Sequence, residues 1–217
     1  MANNSTMGTG VLRLSVPTAV ISALFKGYSL DAAYPGGGAV YICSDSEAGG
    51  STWEDVEESL QELAETLGLV PAGGEPLHLK ELVAKLSAHY GKDASGVQHL
   101  LEPGMDENAS LSELFDLAQV LDDGHGLWAL EMETAHYCSK PRLYEFGGYG
   151  LFLGKDVVVT SGSHTALQVG PKLDAAVNAR DVDATVAVLS QQLAETLLWI
   201  NEPDLRLEVA KRLGLPG

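Results

Sequence analysis

Basic side chains are what this sequence has least of. Thirteen Lys and Arg stand against thirty Asp and Glu in 217 residues, for a formal net charge of −17. Protein affinity for nucleic acid comes mainly from cationic contacts to phosphate, and anionic lipid is repelled by the same deficit. Nucleic acid and membrane surfaces are therefore not the expected partners. Cysteine is scarce too. Cys43 and Cys138 are too few and too far apart in sequence for a disulfide framework, and they read as free thiols in a reducing compartment. Long apolar runs are missing: no stretch reaches the 18 or so residues a membrane helix needs. The opening "MANNSTMGTGVLRLSVPTAVISALF" has no basic segment ahead of an apolar one, and Pro17 and Lys26 break its one apolar patch. The expectation is a soluble cytoplasmic chain without a leader.

Catalytic and metal motifs are absent as well. There is no GxSxG elbow, HExxH or CxxC. "YPGGGAV" (34–40) lacks a P-loop lysine and precedes a strand rather than a helix, so it is not a phosphate cradle. Residues 106–117 begin like a calcium loop, but the sixth position is Leu111 instead of Gly and the twelfth is Leu117 instead of Glu. No metal and no cofactor is expected.

What remains is a globular composition, 45% hydrophobic and 20% charged, with 24 glycines to make turns. The acids are concentrated. Residues 45–67 hold eight and residues 101–133 hold nine, with no Lys or Arg in either window, so these two segments account for the whole net charge.

Hydrophobic periodicity supplies the elements. Residues 1–10 are small and polar and read as a frayed end; "VLRLSV" (11–16) alternates and reads as a strand stopped by Pro17; residues 18–26 read as a short helix and 39–43 as a buried strand. "STWEDVEESLQELAETLG" carries Trp53, Val56, Leu60, Leu63 and Leu67 at helical spacing, a capping-box pattern at Ser51 and Glu54, and Gly68 as its stop. The opposite face is acidic, with like charges four residues apart at Glu54/Glu58 and Glu58/Glu62. Each such pair costs about 0.2–0.5 kcal/mol, so helix stability does not explain that face. Residues 75–91 and 109–121 read as two more amphipathic helices, the latter capped by Ser110 and Glu113.

The stretch "LDDGHGLWALEMETAHYCS" (121–139) invites a metal or catalytic reading. Its period of two from Leu127 points instead to a half-buried antiparallel strand, with Trp128, Leu130, Met132, Thr134, His136 and Cys138 on one side and Glu131 and Glu133 on the other. Extended chain separates His125 from His136 by roughly 30 Å at about 3.3 Å per residue. Residues 142–154, with a bulge or close approach at Gly147-Gly148, and 156–162 complete a meander. Val182, Val186, Leu189, Leu193, Leu197 and Ile200 mark a long helix, broken at Pro203 and followed by a last one from Asp204 to Leu213. The expected fold is α+β: an antiparallel meander over about 127–161 packed with amphipathic helices, plus short N-terminal strands, as a single domain over 1–217.

Three classes of function follow. The preferred one is a non-enzymatic acidic protein that docks on a basic protein surface, most concretely an immunity protein or antitoxin plugging the cationic cleft of a toxin enzyme. Its contact residues would be Glu54, Asp55, Glu58 and Glu62, with Asp122 and Asp123, then Asp106, Glu107, Glu131 and Glu133. The second is a small hydrolase or other enzyme built on Asp122, Asp123 and His125, or on His136 and Cys138. The third is an assembly protein that dimerises through its C-terminal helices.

Overall fold

A helix forms wherever the sequence repeats apolar residues at a period near 3.6, and the longest acidic segment shows how its ends are set. Helix α2 (Trp53–Thr66) buries Trp53, Val56, Leu60 and Leu63. Its N-cap is Thr52, whose hydroxyl accepts the Asp55 N–H at 3.1 Å while the Asp55 carboxylate accepts the Thr52 N–H at 2.9 Å. The box expected one residue earlier, at Ser51 and Glu54, does not form; Ser51 is buried and, like Thr52, belongs to a small two-stranded ribbon, β4 (Ser51–Thr52) with β5 (Asn108–Ala109). Gly68, at φ +70°, takes the left-handed conformation that ends the helix.

The computed structural model describes residues 4–44, 50–101, 108–140, 143 and 145–215. Asp106 and Glu107 of the expected contact set lie outside the described residues, as do Asp45, Glu47 and Glu102 of the acidic windows. The fold is α+β. The chain divides into two compact units: Ser5–Met132, and Glu133–Gly217 together with Met1–Asn4.

The first unit holds strands β1 (Asn4–Arg13), β2 (Asp31–Pro35), β3 (Ala39–Ser44) and the first residues of β6 (Ala129–Cys138), in the order β2-β3-β1-β6. Strand β1 therefore starts at Asn4, where a frayed end was expected. It runs antiparallel to β3, with Gly8 opposite Ser44 and Arg13 opposite Ala39. Leu12, Val40, Ile42 and Leu130 point into the core. At Gly10 the next strand comes so close that a Cβ would lie 2.1 Å from the Glu131 carbonyl oxygen, so only glycine fits. Helices α1 (Ala19–Leu24), α2, α3 (Leu79–His89) and α4 (Leu111–Val120) complete this unit, with α1 packed on both α2 and α4 and α2 on α3. Ser110 and Glu113 form the expected capping box of α4.

The second unit holds the rest of β6, β7 (Gly147–Gly154) and β8 (Val158–Gly162), in the order β6-β7-β8; β7 and β8 pair antiparallel. This is the expected meander. Gly148 is a close-approach position, since a Cβ there would lie 2.4 Å from the Thr134 carbonyl oxygen. Three helices follow: α5 (Thr165–Asn178), α6 (Val182–Leu197) and α7 (Pro203–Arg212). After the meander the sequence reading placed helices only from Val182 onward; α5 carries Pro171 inside it, a residue that argues against a helix by pattern. Among the described residues no helix is long and apolar enough to cross a membrane.

The two units differ in how they are filled. Among the described residues, the first buries 32 apolar side chains and the second five: Cys138, Leu153, Ala176, Leu197 and Ala210. Val182, Val186, Leu189 and Leu193, which share one face of the expected long helix, are 72%, 55%, 51% and 37% exposed, and of that stripe only Leu197 is buried.

Candidate functional site

The loop between α4 and β6 brings Asp122, Asp123 and His125 together, and each has a structural task. His125 is 1% exposed. Its Nδ1 accepts the Leu127 N–H at 2.8 Å. With that lone pair occupied, the ring is the Nε2–H tautomer, and Nε2 donates to the Ala118 carbonyl at 3.0 Å. That carbonyl sits in the last turn of α4, where no intrahelical donor remains. The His125 carbonyl in turn accepts from the Ser15 and Val16 N–H groups. The ring is thus a buried C-terminal clasp for α4, tied to the chain leaving β1. Held at both nitrogens by the main chain, it has neither a free lone pair nor a free proton for a substrate. The Asp122 carboxylate lies 3.6 Å from Nδ1, but this is no ion pair, because the Leu127 N–H already uses that nitrogen's lone pair.

Asp122 accepts from the Gly124 and Gly126 N–H groups and from the Lys92 ammonium at 3.2 Å. Burial opposes its charge, but the Gly126 N–H, Lys92 and the Gly124 N–H outweigh it, and the carboxyl titrates below the ordinary range. Asp123 accepts the Thr18 hydroxyl at 2.6 Å and the Val20 N–H at 3.3 Å, capping α1 from outside that helix. Gly124 and Gly126 turn the chain at φ +102° and +58°. The opening puzzle of the sequence is therefore a helix-ending loop followed by a strand. Among the described residues no group of three His, Cys, Asp or Glu side chains is arranged to hold a metal ion.

On β6 the expected alternation holds for Leu130, Met132, Thr134 and Cys138, which are buried, and for Glu131 and Glu133, which are the more open. It fails at two positions. Trp128 is 59% exposed, because the strand starts at Ala129 and the alternation has not yet begun. His136 is exposed and stacks on Tyr149, with ring centroids 5.7 Å apart, while Cys138 is buried. Glu131 forms a two-point pair with Arg13, from Nε at 2.9 Å and from Nη2 at 3.2 Å. That hydrogen bond and the charge beside it raise the Arg13 pKa.

The remaining contact candidates lie on α2. Asp55 is the capping-box acid; the Thr52 hydroxyl and N–H hold its pKa below the ordinary value. Glu57, which the sequence reading did not single out, accepts the Leu79 N–H at 2.7 Å and so anchors the start of α3. Glu65 accepts from Gln61, and Glu62 lies 3.6 Å from Lys26. Glu54 and Glu58 are exposed and make no such bond among the described residues. Of the ten expected contact residues, Asp55, Asp122, Asp123 and Glu131 thus serve the fold, whereas Glu54, Glu58, Glu62 and Glu133 face outward with at most a loose ion pair.

Charge and exposed apolar surface fall on different units. The first carries twenty acids and five bases, a net of −15, and the second ten acids and eight bases, a net of −2. Among the described residues the second unit exposes fifteen large apolar side chains and the first four: Met7, Val16, Tyr34 and Trp128. Compared with protein-family models, with curated proteins and with solved structures, the chain matches none.

Proposed function

We propose that this chain is a non-enzymatic binding protein whose acidic unit docks on a basic protein surface. The observation that carries the reading is helix α2, where six acids stand with no base and Glu54, Glu58 and Glu62 are exposed in a row four residues apart. Such a row weakens the helix by like-charge repulsion, and Glu58, beyond the first turn and its favourable dipole, returns nothing to the fold. A cationic partner turns the same row into an attractive field that speeds encounter and rejects wrong partners. The most concrete version is an immunity protein or antitoxin that covers the cationic cleft of a toxin enzyme. Free Cys43 and Cys138 accord with a reducing cytoplasm. Nucleic acid and membrane surfaces, with their own negative charge, are not partners in this reading.

The experiment is reconstitution. A partner recovered at low ionic strength is identified, purified and recombined with the chain and with a Glu54→Lys, Glu58→Lys, Glu62→Lys variant. The reading requires a stoichiometric complex with a basic protein that the variant forms more slowly. A partner that binds both proteins alike refutes it.

A further inference from the structure

We infer that the loop between α4 and β6 is an acid-operated clasp, in which a proton taken up by His125 transfers Nδ1 from the Leu127 N–H to the Asp122 carboxylate and frees the main chain at Leu127. This one ring nitrogen has two neighbours of opposite kind. The Leu127 N–H lies 2.8 Å from Nδ1 and needs its lone pair, so it holds the neutral ring. The Asp122 Oδ1 lies 3.6 Å from the same atom and needs a proton on it, so it holds the charged ring. The two cannot be satisfied together. Nε2 donates to the Ala118 carbonyl in either form, so the ring stays anchored to α4 while Nδ1 changes partner.

A buried ring is hard to charge unless the charge is paired and hydrogen-bonded, and Asp122 supplies the pair. Against the opposing effect of burial, the Gly126 N–H, Lys92 and the Gly124 N–H keep its carboxyl ionised below the ordinary range, so the acceptor is still charged when the ring takes its proton from solvent. Charge-assisted bonds are roughly twice as strong as neutral ones. The new bond from Nδ1 to Asp122 and the strengthened one from Nε2 to Ala118 therefore offset the one neutral bond that is lost. The cost falls on buried Leu127, whose N–H loses its acceptor beside the Trp128 N–H that bonds the Arg13 carbonyl at the end of β1. Asp122 also accepts from the Gly124 and Gly126 N–H groups, so its movement toward the ring draws on the whole loop.

The other titratable groups on the elements around the ring are otherwise engaged. On α4, Glu113 caps the far end and Asp116 is exposed. On β1, Arg13 is held by Glu131. Asp123 is held by Thr18 and the Val20 N–H, and α1 carries no charged residue. At the end of α3, exposed His89 stacks on Tyr90, and Tyr90 is kept neutral by burial and by the Asp123 charge. Lys92 reaches the loop at Asp122, 3.2 Å away, where it competes with the ring for the carboxylate.

Nuclear magnetic resonance of the nitrogen-labelled full chain, titrated from about pH 8 to about pH 5, tests this. At the alkaline end the His125 ring should be the Nε2–H tautomer. As the ring takes up its second proton, the Leu127 amide should lose tenfold or more of its protection against hydrogen exchange, corrected for the intrinsic rate, with the same midpoint. The circular dichroism spectrum and the protection of the Leu114 amide, at the far end of α4, should not change. Asp122→Asn removes the receiving charge, so the midpoint of Leu127 release should fall by roughly one pH unit or more. Lys92→Gln removes the competing cation, so the midpoint should rise. These opposite shifts separate a clasp from general acid unfolding, which would expose both amides together. If Asp122→Asn does not fold, the wild type and Lys92→Gln decide, because the Lys92 side chain is exposed. The inference is overturned if the ring stays neutral until the whole chain unfolds, or if it charges while Leu127 stays protected. A midpoint that either variant leaves in place or moves the other way overturns it too.

Discussion

Replacing His125 with Ala removes two buried main-chain partners at once. The Ala118 carbonyl and the Leu127 N–H, whose residues are almost wholly buried, would be left without their bonds to the ring. An orphaned buried group costs about 1–3 kcal/mol, so the pair costs about 2–6 kcal/mol. The cavity left by the ring adds to this. His125→Phe keeps most of the volume and loses only the bonds, so it should be the milder variant, at about 2–6 kcal/mol without the added cavity cost. Against a typical stability of about 5–15 kcal/mol, either change is a large fraction of the whole. Urea denaturation followed by circular dichroism and by tryptophan fluorescence gives the midpoint and slope. If both variants lose less than about 1 kcal/mol at an unchanged slope, the clasp role is wrong and His125 is free for other chemistry.

Further outcomes follow from the same contacts. Gly10→Ala would place a Cβ 2.1 Å from the Glu131 carbonyl oxygen and force β1 away from β6, at a cost of at least about 2–3 kcal/mol; Gly150→Ala, which meets nothing within 4 Å, should stay within about 0.5 kcal/mol in the same denaturation assay. Thr52→Ala should cost about 1 kcal/mol through loss of the α2 cap, whereas Glu58→Gln should cost nothing, and thermal melts distinguish them. The Asp122 carboxyl is held below its ordinary pKa. Its contribution to stability is therefore fully present above the unfolded value of about 3.9 and is lost as pH falls through the lower folded value. Asp122→Asn should flatten that acid limb of the stability–pH curve.

Much of the fold can be read from periodicity, because burial imposes it. The stripe Trp53, Val56, Leu60, Leu63 had to lie on one helical face, and the alternation from Leu130 to Thr134 had to make a strand. Element ends are less legible, because neighbouring residues offer the same cap: Ser51 with Glu54 and Thr52 with Asp55 both fit a capping box, and only the structure shows that Thr52 takes it while Ser51 is buried. The α6 stripe shows a deeper limit. Periodicity says that Val182, Val186, Leu189 and Leu193 share a face, but it carries no information on whether the chain itself covers that face. The candidate site was legible as a cluster and not as a function. Asp122, Asp123 and His125 are adjacent in sequence, but their partners Lys92, Thr18 and Ala118 come from three other segments, and only tertiary structure shows that those partners occupy them. Glu57 was hidden for the same reason, since its task lies 22 residues away at Leu79.

Association kinetics with the reconstituted basic partner test the central claim most directly. Wild type and the Glu54→Lys, Glu58→Lys, Glu62→Lys variant, whose net charge rises by six from −17 to −11, are compared across a salt series. Steering by a surface field raises on-rates by about 10–10³-fold, so the variant should associate at least tenfold more slowly at low ionic strength. The gap should close as the screening length falls from about 10 Å at 0.1 M to about 3 Å at 1 M. Equal association rates at every ionic strength would mean that the acidic face of α2 takes no part in binding.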